Sequence, residues 1–208
     1  MRWNVTTGPT TEPLTLALAK AHLKVEHSED DTMITAMIIE ARSWCEQYTR
    51  RALIEQTVTV NLDVWPIAST FNPQTAITLP LGKAMSVTTF THVDSDGATQ
   101  ALSGPSDSPV GTDWQEDLSD AYGGVLWPPY ESAWPDAREQ MSAITIVFQA
   151  GYGAAASAVP QELISAIKYR LTELYTLRGP TDLGTKALAG QWQEAAHMMA
   201  RKYRINPF

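Results

Sequence analysis

Apolar positions near the start of the chain recur at the spacing of α-helices. Leu16, Ala19 and Leu23 lie three or four residues apart, which predicts a short helix over residues 14–25. A longer apolar stripe follows Ser28, a residue type that favours helix starts, and acidic side chains come directly after it. Because the helix dipole favours acids in the first turn, this pattern predicts a second helix of about 20 residues.

The middle of the chain changes to the two-residue period of β-strands. Ile144, Ile146 and Phe148 fall on one side of an extended segment, and β-branched residues are frequent in the earlier ones. Asp94 and Gly97 bound a short polar segment that predicts a hairpin turn. Strands are predicted over residues 57–62, 76–79, 87–93, 124–127 and 142–149.

Helical spacing returns after Pro160, a residue type suited to the first turn of a helix. Leu163, Ile167 and Leu171 form one apolar stripe, and a last helix is predicted over residues 183–203. The fold class is therefore α+β: a helical bundle body of two N-terminal and two C-terminal helices, with an inserted antiparallel β-rich subdomain. We expect an N-terminal arm (1–13), a helical body (14–52 and 158–203), a β-rich insertion (53–157) and a C-terminal tail (204–208).

Charge divides the chain more sharply than its overall net charge of −8 suggests. Residues 53–150 contain two basic and twelve acidic side chains, whereas residues 151–208 have a net charge of +3. The overall negative field disfavours tight binding to nucleic acid. The chain has one cysteine, no signal-peptide pattern at its start and no apolar run of about 18 residues, which together favour cytosolic synthesis.

Candidate chemical groups are few and scattered. Cys45 lies within an apolar stripe and is interpreted as a buried hydrophobic residue rather than a nucleophile. His22 and His27 are five residues apart, a poor spacing for a shared metal on a helix, and the segment from Asp94 lacks the further ligands of a calcium loop. Phosphate-binding and nucleophile-elbow motifs are absent, so we expect no enzyme activity, no cofactor and no metal, although a hydrolase with a dispersed site is an alternative.

Two sets of residues are candidates for binding. Four tryptophans in the loop-rich middle could anchor an interface or pin long loops to the sheet, and the sequence favours neither: Trp65, Trp114, Trp127 and Trp134. The C-terminal end is basic and aromatic, which is typical of a docking tail for an acidic or apolar partner, or of a helix end with dipole-matched bases. Its candidate docking residues are Arg201, Lys202, Tyr203, Arg204, Ile205 and Phe208.

Several short motifs follow one another in a fixed order, beginning with LTLALAKAHLKV at residues 14–25 and ARSWCEQYTRRALI at residues 41–54. These two segments resemble the opening helix and the end of the long helix in the head–tail connector (adaptor) proteins of tailed phages. Later matches are SVT at residues 86–88 and AGYG at residues 150–153, before the next helix. The likeness covers residues 14 to about 178 and is to the HK97-type connectors and their relatives with a larger β insertion.

This resemblance implies a structural role. It implies a dodecameric ring beneath the portal protein, around the channel through which DNA passes without sequence-specific binding. It further implies contact with a downstream tail or stopper protein, docking of the C-terminal segment on the portal, and a location in the virion after assembly in the host cytoplasm. A tail-completion or other virion structural protein is the alternative within the same class.

Overall fold

The computed structural model describes residues 1–67, 75–105, 111–119, 123–178 and 183–205. The chain divides into two compact units, each built from two segments of sequence. The β unit comprises Met1–Gly8 and Glu55–Tyr152, and the helical unit comprises Pro9–Ile54 and Gly153–Phe208.

Within the described residues, four α-helices form the helical unit, which confirms the predicted two N-terminal and two C-terminal helices. They are α1 (Leu16–Leu23), α2 (Asp31–Thr49), α3 (Gln161–Thr176) and α4 (Leu183–Arg201). The core lies where the apolar stripe of α2, including Ile34, Ile38 and Cys45, is fully buried together with Leu163 and Ile167 of α3. These residues recur at helical spacing, so the one-dimensional pattern already identified the buried face.

The helix starts agree with the sequence at α1 and differ at α2. Thr15 caps α1, as its side-chain oxygen accepts a hydrogen bond from the amide of Leu18 at 3.3 Å. The prediction that Ser28 caps α2 was wrong, because Asp30 occupies that position. The Ser28 carbonyl instead accepts from the amide of Asp31 at 3.2 Å, in a turn that precedes the helix.

The described part of the β unit contains two antiparallel sheets, which confirms the antiparallel β-rich part of the fold. Its strands are β1 (Arg2–Thr7), β2 (Gln56–Leu62), β3 (Ile77–Thr78), β4 (Ala84–Val93), β5 (Thr99–Ala101), β6 (Gln115–Asp117), β7 (Val125–Trp127) and β8 (Ile144–Ala150). One sheet has the order β1-β2-β8-β4-β5, and the other has the order β3-β7-β6.

Period-two alternation sets the register of the central strands. Val58 pairs with Phe148 and Val60 pairs with Ile146, and all four side chains are fully buried. The intervening residues of β2 are half-buried, so a shift by one residue would exchange the two faces. The hydrophobic effect therefore fixes this pairing.

Tryptophans cover part of the buried face of the five-stranded sheet. Phe90 of β4 has ring contacts to Trp65, Trp114 and Trp134 at centroid distances of 5.9, 5.8 and 5.6 Å. Trp65 and Trp134 also stack at 4.8 Å, and Trp114 and Trp134 are buried. The sequence left open whether the tryptophans anchor an interface or pin loops to the sheet. These three side chains hold loops against the sheet.

Edge strands account for the elements that the sequence pattern did not reveal. Residues 1–13 were expected to form an N-terminal arm, yet β1 lies within them and pairs with β2, with Trp3 opposite Val60. Every residue of β1 is exposed, as is every residue of β5. A strand without a buried face produces no alternation of apolar and polar residues, so its sequence carries little signal.

Candidate interaction surface

The C-terminal segment, residues 201–205 as described in the structure, folds back onto the end of α2. The amide of Ile205 donates a hydrogen bond to the carbonyl oxygen of Thr49 at 3.0 Å. The guanidinium Nε of Arg51, a residue only 3% exposed, donates to the carbonyl oxygen of Tyr203 at 2.5 Å. The segment is thus held by the helical unit at both of these backbone groups, rather than extending from the end of α4.

Glu162, in the first turn of α3, binds the same segment through its carboxylate. It accepts hydrogen bonds from Nζ of Lys202 at 2.5 Å and from the hydroxyl of Tyr203 at 2.8 Å. These two donors stabilise the ionised carboxylate and lower the pKa of Glu162 to about 2. The sequence analysis missed Glu162, because 40 residues separate it from Lys202.

The structure separates the six predicted docking residues into three groups. Arg201, Lys202 and Arg204 are exposed. Tyr203 and Ile205 are half-buried against the helical unit. Phe208 lies outside the described residues.

A further cation, Arg50, belongs to this surface and was not predicted. Arg50 ends α2 in the left-handed conformation and is exposed, next in sequence to the Thr49 carbonyl that anchors Ile205. The guanidinium of Arg204 lies 5.2 Å from the ring centroid of Tyr48, in the last turn of α2. The exposed cations, with an aromatic ring beneath one of them, suit an acidic partner surface.

A groove of about 480 Å³ runs along the outer side of α2. Its wall includes Trp44, which stacks on Tyr48 at a centroid distance of 5.6 Å and meets the edge of His197 at 5.1 Å. The guanidinium of Arg170 lies over the Trp44 ring at 5.9 Å and also lines the groove. The aromatic cluster therefore gives the groove a rigid side.

The residues weighed as catalytic or metal-binding are not brought together. Cys45 is fully buried, and burial raises the pKa of its thiol to about 12, which opposes formation of the reactive thiolate. His22 contacts Thr172, whereas His27 contacts Glu29. Within the part of the chain that the structure describes, no three His, Cys, Asp or Glu side chains are placed to hold a metal ion.

The acidic turn after β4 is a hairpin, as predicted. Oδ1 of Asp94 accepts hydrogen bonds from the amides of Asp96 and Ala98 at 3.0 and 2.9 Å, and Oδ2 accepts from Gln100 at 2.7 Å. Both carboxylate oxygens thus stabilise the turn, and these hydrogen bonds lower the pKa of Asp94. No helix in the described ranges is both long and apolar enough to span a membrane.

The fold is similar to that of chains in solved phage-like particles. A chain from the neck of an empty gene transfer agent particle, computed with C6 symmetry, superposes with a TM-score of 0.74 at 20% identity, covering 100% of this chain and 97% of that chain. A chain from the virion of the native particle gives 0.72 at 21% identity, with the same coverage. A chain from the native neck, computed with C12 symmetry, gives 0.69 at 21% identity and equal coverage.

Comparisons of sequence alone add no family assignment, since neither a protein-family model nor a curated protein matches the chain. The likeness to the neck chains extends over the full length of the protein, including both the helical and the β segments. At 20–21% identity it shows a shared fold. The chain thus has the fold of proteins found in the neck of gene transfer agent particles.

Proposed function

We propose that this protein is a structural subunit of the neck of a phage-like particle, where it joins head to tail. The observation that carries the proposal is the end-to-end fold match to the neck chain, which covers 100% of this protein and 97% of that chain at a TM-score of 0.74. The motif order between residues 14 and about 178 supports the same role independently of the three-dimensional fold. More specifically, the role is that of an HK97-type head–tail adaptor.

The proposed assembly is a ring of twelve copies beneath the portal protein, enclosing the DNA channel. The C6 and C12 symmetries of the neck structures with this fold support a cyclic arrangement. The net charge of −8 suits a channel through which DNA slides, because the chain as a whole repels phosphate. A downstream tail or stopper protein would bind the opposite side of the ring.

The portal contact is assigned to the exposed cations of the C-terminal segment. Arg201 and Arg204 present guanidinium groups outward, whereas Tyr203 and Ile205 hold the segment to the helical unit. Deleting the whole segment would also remove the hydrogen bond that Arg51, itself buried, donates to Tyr203. Substitution of the exposed cations is therefore a cleaner test than truncation.

The test is reconstitution with the portal protein of the same particle, followed by electron microscopy and native mass spectrometry. The wild-type chain is expected to form a ring on the portal, and the variant Arg204→Ala is expected to bind about tenfold or more weakly. Lys186→Ala is the matched control, since it removes an exposed cation of α4 outside the segment. A wild-type chain that joins no portal or tail complex contradicts the neck role, and full binding by Arg204→Ala contradicts the docking assignment.

A further inference from the structure

The outer face of α2 carries a stripe with no covering element in the described structure. The stripe residues recur at intervals of three and four, so they share the side of the helix opposite the buried Ile34, Ile38 and Cys45. They line the 480 Å³ groove together with Arg170 of α3. The stripe consists of Ala36, Ile39, Glu40, Ser43, Trp44 and Gln47.

This face suits the approach of another helix. Ala36 and Ser43 are small, which allows close packing of a neighbouring helix, and Ile39 is 45% exposed between them. Trp44 and Arg170 form a wall on one side of the groove. An exposed apolar centre beside a fixed aromatic wall is the usual anatomy of a helix-binding groove.

A second uncovered apolar face lies on α4, in the same unit. Leu188 is 51% exposed and Met199 is 38% exposed, and Ala195 lies between them at helical spacing. The buried side of α4 is a different one, marked by Ala189, Ala196 and Ala200. The helix therefore packs within its own unit through alanines and presents larger apolar side chains outward.

We propose that the outer face of α4 in one copy docks into the α2 groove of the next copy. This inference rests on the proposed function, because a closed ring needs two different, complementary surfaces on every subunit. The two faces belong to helices of equal length, 19 residues each, so that one helix can cover the other. The occupant of the groove is thus a second copy of this chain.

Charge sets the direction of docking as antiparallel. The start of α2 carries Glu29, whose side chain is 80% exposed and lies 2.8 Å from His27, whereas α4 ends at the exposed Arg201. Asp30 and Asp31 follow Glu29 and already pair with Arg178 and Lys20 of the same chain. Antiparallel docking brings Arg201 toward these acids, and it also places the negative dipole end of α4 beside the positive end of α2. Parallel docking would instead place Arg201 beside Arg50, which is unfavourable.

Disulfide trapping between two variants that each gain one cysteine tests the arrangement directly. Ala36→Cys marks the groove and Ala195→Cys marks the α4 face, at positions that antiparallel docking brings opposite each other, and the native Cys45 is buried with its pKa raised to about 12. Under oxidising conditions a cross-linked dimer is expected when the two variants are mixed, but not when either is present alone. Cross-linking of Ala36→Cys by itself would indicate a two-fold contact and would overturn the proposal, as would the absence of any cross-link in the mixture.

Charged substitutions then test the packing. Leu188→Glu, added to the Ala195→Cys chain, and Ile39→Glu, added to the Ala36→Cys chain, are each expected to reduce the cross-link about tenfold or more. Met141→Glu is the matched control, because Met141 is 76% exposed in the β unit and belongs to neither face. Circular-dichroism melting shows that each variant is folded; unchanged cross-linking by folded Leu188→Glu and Ile39→Glu would overturn the proposal.

The outcome is separable from that of the neck assignment. Portal binding by the wild-type chain without a groove-to-α4 cross-link overturns this interface and leaves the neck role intact. A specific cross-link in a chain that joins no portal or tail complex supports the proposed interface and contradicts the neck role.

Discussion

Glu162 shows how a single exposed carboxylate can organise a chain terminus. Its two oxygens bind Lys202 and Tyr203, and the adjacent backbone contacts of Tyr203 and Ile205 fix the same segment on α2. A charge-assisted hydrogen bond is stronger than a neutral one, so the ionised state of Glu162 matters for this arrangement. The exposed guanidinium groups of Arg201 and Arg204 consequently belong to a segment that is fixed to the helical unit.

The lowered pKa of Glu162 predicts that the contact between Glu162 and the C-terminal segment depends on pH. The pKa falls from 4.5 to about 2 on folding, so its contribution to stability is complete above pH 4.5 and is lost as the pH falls through about 2. NMR shifts of the Tyr203 ring are expected to change within that window. Glu162→Gln removes the titrating group and is expected to abolish the change; a wild-type spectrum that is constant across the window would refute this linkage.

At the scale of elements, α1 and α2 share an unusual ending. Lys24 and Arg50 adopt left-handed conformations with φ values of 58° and 57°, and their amides donate to the carbonyl oxygens of Lys20 and Glu46. This conformation is costly for a residue with a Cβ atom, and glycine adopts it without that cost. Both helices therefore end under local strain that packing of the neighbouring segments outweighs.

Replacing Lys24 by glycine is expected to stabilise the protein. Lys24 is exposed, so the substitution relieves the left-handed strain without loss of a buried contact, and the free energy of unfolding should rise by about 0.5–1 kcal/mol. Lys186→Gly, inside α4, should lower it by about 1 kcal/mol, since glycine disfavours helix interiors. Urea denaturation measures the free energy of unfolding of both variants. Equal changes of the same sign in Lys24→Gly and Lys186→Gly would contradict the explanation.

At the scale of the whole molecule, charge follows the division into two units. The β unit contains three basic and twelve acidic residues, whereas the helical unit contains twelve basic and eleven acidic residues. The acidic charge is thus concentrated in the β unit, and the exposed cations of the C-terminal segment belong to the nearly neutral helical unit. Different partners for the two units are consistent with this distribution.

The net charge predicts weak binding to DNA despite the basic segment. In a mobility-shift experiment at about 0.15 M salt, the purified chain is expected to leave double-stranded DNA unshifted, because the summed field repels phosphate. Any complex that forms at about 0.01 M salt should dissociate as salt is added. A complex that persists at the higher salt concentration would show that the cations of the C-terminal segment bind phosphate independently of the overall charge.

Much of the fold could be predicted because its periodicity is local. The stripe through Ile34, Ile38 and Cys45 and the alternation of Ile144, Ile146 and Phe148 each identify an element and its buried face from spacing alone. The edge strand β1 could not be found in this way, as none of its residues is buried. Charge and position made Arg201 and Arg204 candidate docking residues, and both are exposed in the structure, but the sequence pattern did not point to the aromatic groove on α2.

By itself, then, the sequence determined the α+β class, the order of the helices, the core faces and the presence of a basic C-terminal end. The tertiary structure alone decided which groups that end contacts, since Arg51 and Tyr203 are 152 residues apart. It also decided that Trp65, Trp114 and Trp134 converge on Phe90. The physical reason is that periodicity records only whether a residue faces the core, whereas a contact between distant residues depends on the path of the whole chain.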